Sequence, residues 1–365
     1  MKVMIDAHYV GIRKAGNEVY FENLITEMSN ITSNLEIEVL VQNKEWTLNK
    51  KIKPVLLKSK SIVFQRAMEI PMKAYVRKAK VLHVPFAIPP VSLSKTVVTI
   101  HDILYEDYPE YFTKSTINRL KLTTKSSAKN ATHITTVSEF SKKRISEKYQ
   151  VPLDKITVIP NSISESFESE LSRVTEASIK QVKEEFAINQ KYFIFVGTIQ
   201  PRKNITRMID AFIEATHTKE FQLVIVGEKG WLYDEILERM EKLKCSKNKV
   251  IFTGGVSENK LVNLYKGSYC LLYPTIAEGF GIPLLEAMAV NKPIITSDTT
   301  SLPEVARDAA LYVNPMSVKS IATAIVKIIE DEKIRKKLVD RGTKILKEYD
   351  RKKIAENMIN VYKKI

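Results

Sequence analysis

Only two cysteines occur in 365 residues, Cys245 and Cys270, too few for a disulfide framework or a thiolate metal site. Each lies in an apolar or amphipathic pattern, so both read as core thiols. Long hydrophobic runs are missing too. No stretch approaches the ~18 apolar residues of a membrane-spanning helix, and Met1-Lys2-Val3-Met4-Ile5 passes into polar sequence without a signal-peptide core. A cytoplasmic protein is expected. Acidic charge is in short supply: 42 Asp and Glu stand against 57 Lys and Arg, a net charge of +15. Such an excess opposes compaction by self-repulsion and attracts polyanions.

The familiar nucleotide and metal motifs are absent as well. "GIRKAG" (11–16) has the Gly-x4-Gly spacing of a P-loop, but Asn17 and Glu18 stand where Lys and Ser or Thr belong. No Gly-x-Gly-x-x-Gly occurs, which removes the nicotinamide or flavin fingerprint. The five histidines form no His-Glu-x-x-His, and no two aspartates are spaced Asp-x-Asp. An enzyme handling a diphosphate with these residues would neutralise it with Lys, Arg and backbone amides.

What is present fits an ordinary globular protein, with 44% hydrophobic and 27% charged residues. The length predicts two domains of roughly 170 to 190 residues. "KVMIDA" opens as a strand and "NEVYFENLITEMSN" follows with helical periodicity. "EIEVLVQ" (36–42), "VLHVPF" (81–86), "KTVVTI" (95–100) and "THITTVS" (132–138) are β-branched strand candidates with helical stretches between several of them. A polar, patternless stretch near 164–180 reads as a linker. Alternation then restarts through "YFIFVG", "FQLVIVG", "KVIFTG", "YCLLYP" and "KPIITSD", with helices expected at 204–215, 233–243, 258–267 and after Gly281. The class is α/β, two parallel sheets in tandem with a cleft expected between them.

The positive charge gathers in the first half. Residues 50–80 carry ten Lys or Arg against Glu69 alone, and residues 114–148 carry nine against Glu139 and Glu147. "SIVFQRAMEIPMKAYVRKAK" (61–80) mixes apolar and basic residues as an interfacial helix on an anionic leaflet would. A solvated, lysine-rich face is the competing reading.

Candidate chemistry sits after strands. "FVGTIQPRKNI" places Arg202, Lys203 and Asn204 behind a strand and at a helix start, where open α/β sheets bind ligands. Adjacent cations there oppose the helix dipole, a conflict that a bound anion removes; exposed loop charges are the commoner, competing reading of such a pair. In "AEGFGIPLLEAMA" (277–289), Pro283 suits a first helical turn, and Gly279 and Gly281 let backbone approach a ligand. An ionised Glu286, one turn on, can accept hydrogen bonds from vicinal hydroxyls, and Glu278 precedes the turn. Two carboxylates flanking an anion cradle fit a sugar nucleotide, ribose on one side and hexose on the other. Helix-dipole complementarity is the plainer account of both. His101 ends the strand in "VVTIHDILYEDYPEYF" and is either a structural histidine or a contact for the sugar.

Together "TIHDILYEDYPEYF", "ITTVSEFSKKRI", "VIPNSI", "FVGTIQPRKNITRMIDAF", "LVIVGEKGW", "EGFGIPLLEAMA" and "SLPEVARDAALYVNP", spanning 96–315, resemble family 4 glycosyltransferases of GT-B fold. The likeness is strongest to the mannosyltransferase-B-like branch of bacterial polysaccharide enzymes. The resemblance implies two Rossmann-like domains with a donor cleft: 1–175 on the acceptor side, 176–345 binding the nucleotide sugar, and a helix in 346–365 crossing back to the first. It implies retention of anomeric configuration, with no cofactor and no metal ion. By resemblance, Arg202 and Lys203 bind the donor diphosphate, and Glu278 with the amides around Phe280 and Gly281 holds the transferred sugar. Glu286 takes the ribose, His101 contacts the sugar near the reacting centre, and Val256 meets the base. Thr198 stands where many relatives carry Arg, so neutralisation should rest on Arg202 and Lys203. Gly16 belongs to a divergent glycine loop, "KAGNEVY", that could still approach donor or acceptor. Asn291 replaces a common glycine and tolerates the same left-handed conformation.

The expected function is a retaining transfer of a hexose, mannose from GDP-mannose foremost, to a growing or lipid-linked glycan. An anionic membrane surface would hold the basic first domain at the inner face of the cell membrane. Alternatives within the fold are a UDP-hexose or UDP-HexNAc transferase or a UDP-sugar epimerase. Outside it stands a basic nucleic-acid- or membrane-binding protein with a degenerate sugar site. The lack of any nucleic-acid motif and the intact Glu278/Glu286 pair weigh against nucleic acid.

Overall fold

The computed structural model describes residues 1–10, 16–31, 34–43, 45, 53–231 and 249–365. Residues 11–15 of the glycine loop, Cys245 and the helix expected at 233–243 lie outside the described residues. Two compact units result: Met1–Pro109, Thr113–Ser162 and Tyr349–Ile365 form one, Glu110–Phe112 and Ile163–Glu348 the other.

Among the described residues the first unit holds seven parallel strands, β1 Lys2–Asp6, β2 Glu36–Val41, β3 Lys53–Leu56, β4 Val81–Pro85, β5 Lys95–Thr99, β6 His133–Thr136 and β7 Ile156–Val158. Their order is β3-β2-β1-β4-β5-β6-β7. The apolar runs Val3-Met4-Ile5, Val39-Leu40-Val41 and Val97-Val98 are buried on both faces, as strands covered by helices require. β3 and β7 escape the periodicity signal because they are short edge strands. β3 buries Val55 alone and tolerates Pro54, whose missing N–H costs nothing on an open edge.

Helix Arg351–Lys364 packs on helix Gly16–Asn30 within this unit, and Arg351 pairs with Glu27 at 3.0 Å. From the same helix the Tyr362 hydroxyl lies 2.6 Å from His83 Nδ1, and His83 Nε2 lies 2.7 Å from the Thr99 hydroxyl. Burial, reinforced by nearby His101, lowers His83 to about 3, so it is neutral at physiological pH.

Among the described residues the second unit holds six parallel strands: β8 Lys191–Val196, β9 Phe221–Val226, β10 Val250–Gly254, β11 Cys270–Tyr273, β12 Ile294–Ser297 and β13 Ala310–Val313. Their order, β10-β9-β8-β11-β12-β13, is doubly wound. Winding reverses between β8 and β11, so the loops after these strands flank the crevice where such sheets take ligands. Cys270 is a buried core thiol, pushed up by burial.

The linker expected at 164–180 is instead two helices, Glu165–Leu171 and Glu176–Glu185. Ser164 accepts a hydrogen bond from the Phe167 N–H, and Thr175 forms a capping box with Ser178. Both helices pack against helix Glu258–Gly267, which places the change of unit after Ser162 and not at the expected 175. Each buries a single residue, Phe167 or Val182, too little for an apolar period to show in the sequence.

Candidate active site

The loops after β8 and β11 converge at the reversal of the second sheet. Gly197 leaves β8 with φ 151°, a conformation that side chains rarely adopt, and its Cα faces the Lys203 ammonium, which a Cβ there would meet in ordinary contact at 3.5 Å. Pro201–Lys203 makes one 3₁₀ turn before Asn204, in left-handed conformation (φ 61°), starts helix Ile205–Ala215. The Asn204 amide is engaged by the fold: Nδ2 donates to the carbonyls of Pro274 at 2.8 Å and Pro315 at 2.6 Å. It ties together the segments that follow β8, β11 and β13.

Arg202 and Lys203 both reach Glu278. Arg202 Nη1 lies 3.0 Å from Glu278 Oε2 and donates to the Ala277 carbonyl at 2.8 Å. Lys203 Nζ lies 2.5 Å from Glu278 Oε1 and donates to the Tyr273 hydroxyl at 2.8 Å. Tyr273 in turn donates to Glu278 Oε1 at 3.0 Å, and Lys203 Nζ sits 5.1 Å from the centre of its ring. Burial alone would raise the Glu278 carboxyl, but the charges of Arg202 and Lys203 outweigh it and hold the group down at about 2. The anion that relieves adjacent cations at this helix start is therefore the protein's own carboxylate.

Glu286 has no such cationic partners among the described residues. It lies in helix Ile282–Ala289, and Oε2 accepts from the buried Tyr265 hydroxyl at 2.6 Å. Burial pushes its carboxyl up to about 7, with Glu258 adding to the rise and Tyr265 opposing it. The ionised carboxylate expected here is half-protonated near neutral pH, because no cation among the described residues offsets its desolvation. Gly281 opens the helix at φ 104°, and Pro283 occupies its first turn. Ser301, fully buried, donates to the carbonyls of Glu278 at 2.8 Å and Phe280 at 3.1 Å, and Thr300 accepts from the Glu278 N–H at 3.1 Å. These bonds fix the Gly279-Phe280-Gly281 turn beside the cation cluster.

The remaining candidates are scattered. Thr198 is exposed behind β8, and Val256 is half-buried behind β10. Asn291 is left-handed at φ 58°, as its replacement of glycine predicts. Gly16 and His101 belong to the first unit. Gly16 begins a helix, and His101 follows β5 with its ring edge-on to Tyr20 at 5.0 Å and tilted on Phe86 at 5.8 Å. Burial lowers His101 to about 3, and its buried Nε2 lacks a hydrogen-bond partner among the described residues. It is a neutral group with an unused hydrogen-bonding atom. Sequence reasoning missed Tyr265, Tyr273, Thr300 and Ser301. The one available signal was spacing: the two tyrosines stand eight apart, like the two glutamates they hold.

No helix among the described residues is long and apolar enough to cross a membrane, and no three His, Cys, Asp or Glu among them group as a metal site. Residues 178–345 match the model for glycosyl transferases group 1, and residues 16–167 match that for glycosyltransferase family 4. The chain is 28% identical over 312 residues to the O-antigen chain mannosyltransferase B of Escherichia coli, covering 85% of this chain and 80% of that one. It is 37% identical over 236 residues to the O-antigen chain mannosyltransferase RfbU of Salmonella typhimurium, covering 65% and 61%. Among solved structures it resembles a Rickettsia africae glycosyltransferase (TM-score 0.77, 16% identity, covering 100% of this chain and 98% of that one). It also resembles the Anabaena protein HepE, solved with UDP and glucose (TM-score 0.78, 15% identity, both chains covered 100%).

Proposed function

The chain belongs to the family 4 and group 1 glycosyltransferases, and from that premise we propose that it is a retaining mannosyltransferase using GDP-mannose. Its acceptor in this reading is a growing or lipid-linked glycan at the inner face of the membrane. The GT-B fold and a hexosyltransferase role in polysaccharide synthesis follow from the relatives; donor, stereochemistry and acceptor are the proposal. One observation carries it: two cations, the buried Lys203 and the partly buried Arg202, are gathered at the ligand-binding end of a doubly wound sheet and already hold an anion, Glu278.

The donor diphosphate would replace Glu278 on Arg202 and Lys203, bringing more negative charge to a preorganised site. Glu278, displaced, becomes an acceptor for hydroxyls of the transferred sugar, still fixed in place through its main chain by Thr300 and Ser301. As the bond from the sugar to the phosphate breaks, charge grows on the leaving oxygen, and the two cations stabilise it more in the transition state than in the ground state. The departing phosphate takes the proton of the acceptor hydroxyl on the face it leaves, which gives retention without a side-chain nucleophile. The reading needs no metal ion at the diphosphate. Glu286 binds the ribose hydroxyls in its ionised form. His101 enters through the family resemblance, as a neutral hydrogen-bond partner for the sugar.

The test is thermal stability against GDP- and UDP-sugars in chelator, repeated with Lys203→Ala and Glu286→Ala, followed by the anomeric configuration of the product. A shift with GDP-mannose, lost in both variants, is expected. A shift with UDP-sugars alone would replace the donor assignment, and an inverted product would remove the mechanism.

A further inference from the structure

The segment 62–76 of the first unit is built inside out. It runs as helix Ile62–Phe64, a π-turn over Gln65–Glu69 and helix Ile70–Val76. Pro71 accounts for the change in winding, since it has no N–H to give and its ring crowds the carbonyl four residues back. A helix on a soluble domain turns its apolar stripe inward and its polar residues out. Here the inward face carries Gln65 and Glu69 beside Ile70 and Ala74, all buried. The outward face carries Phe64, Met68, Met72 and Val76, four residues apart along one stripe and 53%, 56%, 56% and 70% exposed, with Tyr75 beside them at 64%.

Polar bonds on the inner face hold that orientation. Glu69 accepts from the N–H groups of Lys58 at 2.6 Å and Ser59 at 3.0 Å, and Gln65 Nε2 donates to the Ser59 carbonyl at 2.5 Å. Turning the apolar stripe inward would leave a carboxylate and an amide without these partners, so exposure of the stripe is imposed by the fold. Contiguous exposed apolar surface of this kind marks an interaction site. The charge around it narrows the partner: from 58 to 80 the chain carries seven Lys or Arg against the inward-facing Glu69, and an excess of cations remains after Arg77 pairs with Glu38 at 3.1 Å and Lys73 with Glu69 at 3.5 Å.

We propose that this face docks the enzyme on an anionic lipid bilayer, with Phe64, Met68, Met72 and Val76 entering the headgroup boundary and the surrounding Lys and Arg meeting lipid phosphates. The surface continues past the helix. The Ser94 hydroxyl donates to the Ala79 carbonyl at 2.7 Å and so ties the turn with Val91 and Leu93, 70% and 79% exposed, to the chain just beyond Val76. The inference rests on exposure and charge in the first unit and is independent of which sugar donor the second unit takes.

Flotation of the full chain with vesicles tests it. Binding is expected to phosphatidylglycerol-containing vesicles, weakly if at all to phosphatidylcholine, and with partial retention at high salt because the apolar part is not screened. Phe64→Ser with Met68→Ser should weaken binding about tenfold or more, and Lys78→Glu with Lys80→Glu should remove the preference for anionic lipid. In Phe64→Trp, emission should move to the blue on vesicles. All of these positions are exposed, so folding survives, and an unchanged donor-induced thermal shift separates this proposal from the assignment of donor. It is overturned if the double serine variant binds as the parent does, or if no vesicle binds. It is equally overturned if sedimentation shows a dimer that the serine changes dissolve while vesicles are ignored, since the face then belongs to a second copy.

Discussion

Glu278 and Glu286 stand eight residues apart, one buried and one half-buried, and both accept a hydrogen bond from a tyrosine hydroxyl, yet they titrate in opposite directions. Glu278, between Arg202 and Lys203, is held down at about 2, whereas Glu286, with Tyr265 as its hydrogen-bond donor, rises to about 7. Desolvation acts on both. What separates them is whether a full positive charge lies within bonding distance, because a hydroxyl donor offsets only part of the cost of burying a charge. One carboxylate thus contributes to the fold in its ionised state, and the other is a desolvated acceptor held, among the described residues, by a tyrosine hydroxyl alone.

Lys203→Ala should break the contrast most severely. It leaves Glu278 buried with one cation fewer and is expected to destabilise the protein by about 3 to 5 kcal/mol, the usual result of removing one partner of a buried pair. Donor-dependent turnover should fall by about 10² or more, as when a preorganised electrostatic contact to a leaving group is lost. Urea unfolding and initial rates measure the two effects. Glu278→Gln comes next, at roughly 3 kcal/mol near pH 7, taken from the drop between 4.5 and about 2. Its pH dependence fixes the sign. A depressed carboxyl stabilises the folded state above its unfolded value and loses that contribution as pH falls, so parent and variant should converge between pH 4.5 and 2.

Glu286→Gln should act in the opposite sense. A raised carboxyl favours the folded state only while protonated, so stability is lost as pH rises from 4.5 through about 7. The variant should be more stable than the parent by about 1 to 3 kcal/mol at pH 8 and indistinguishable from it below pH 4.5, while losing donor affinity. Chemical denaturation at the two pH values decides it. If both glutamine variants lose stability at pH 8, the contrast fails.

Much of the scaffold was legible because parallel strands buried on both faces announce themselves as β-branched runs, and "EIEVLVQ", "YFIFVG" and "FQLVIVG" all form strands. The helices at 165–171 and 176–185 were not, since their caps, Ser164 and Thr175, look like linker residues until a partner helix buries Phe167 and Val182. Arg202, Lys203, Glu278 and Glu286 could be picked out by their position after strands. Their mutual arrangement could not, because pairing across 75 residues is set by the adjacency of β8 and β11, which strand order decides. For the same reason, Tyr265 and Tyr273 read as core aromatics: nothing local says what a tyrosine hydroxyl meets.

The smallest change sharpens the comparison most. Tyr265→Phe keeps the ring against Phe167, at 5.9 Å between centroids, and removes only the hydroxyl bonded to Glu286. Losing one hydrogen bond should cost about 1 kcal/mol of stability at low pH, where the carboxyl is protonated in either protein. The informative readout is the pH profile of donor binding. Tyr265 lowers Glu286, against burial and the charge of Glu258, so without it the carboxyl should ionise at a higher pH. Affinity that depends on the ionised form should then be recovered only at higher pH, while kcat at saturating donor changes little. A variant that loses affinity equally at every pH would mean Tyr265 merely packs. In that case the difference between the two carboxylates rests on Arg202 and Lys203 alone.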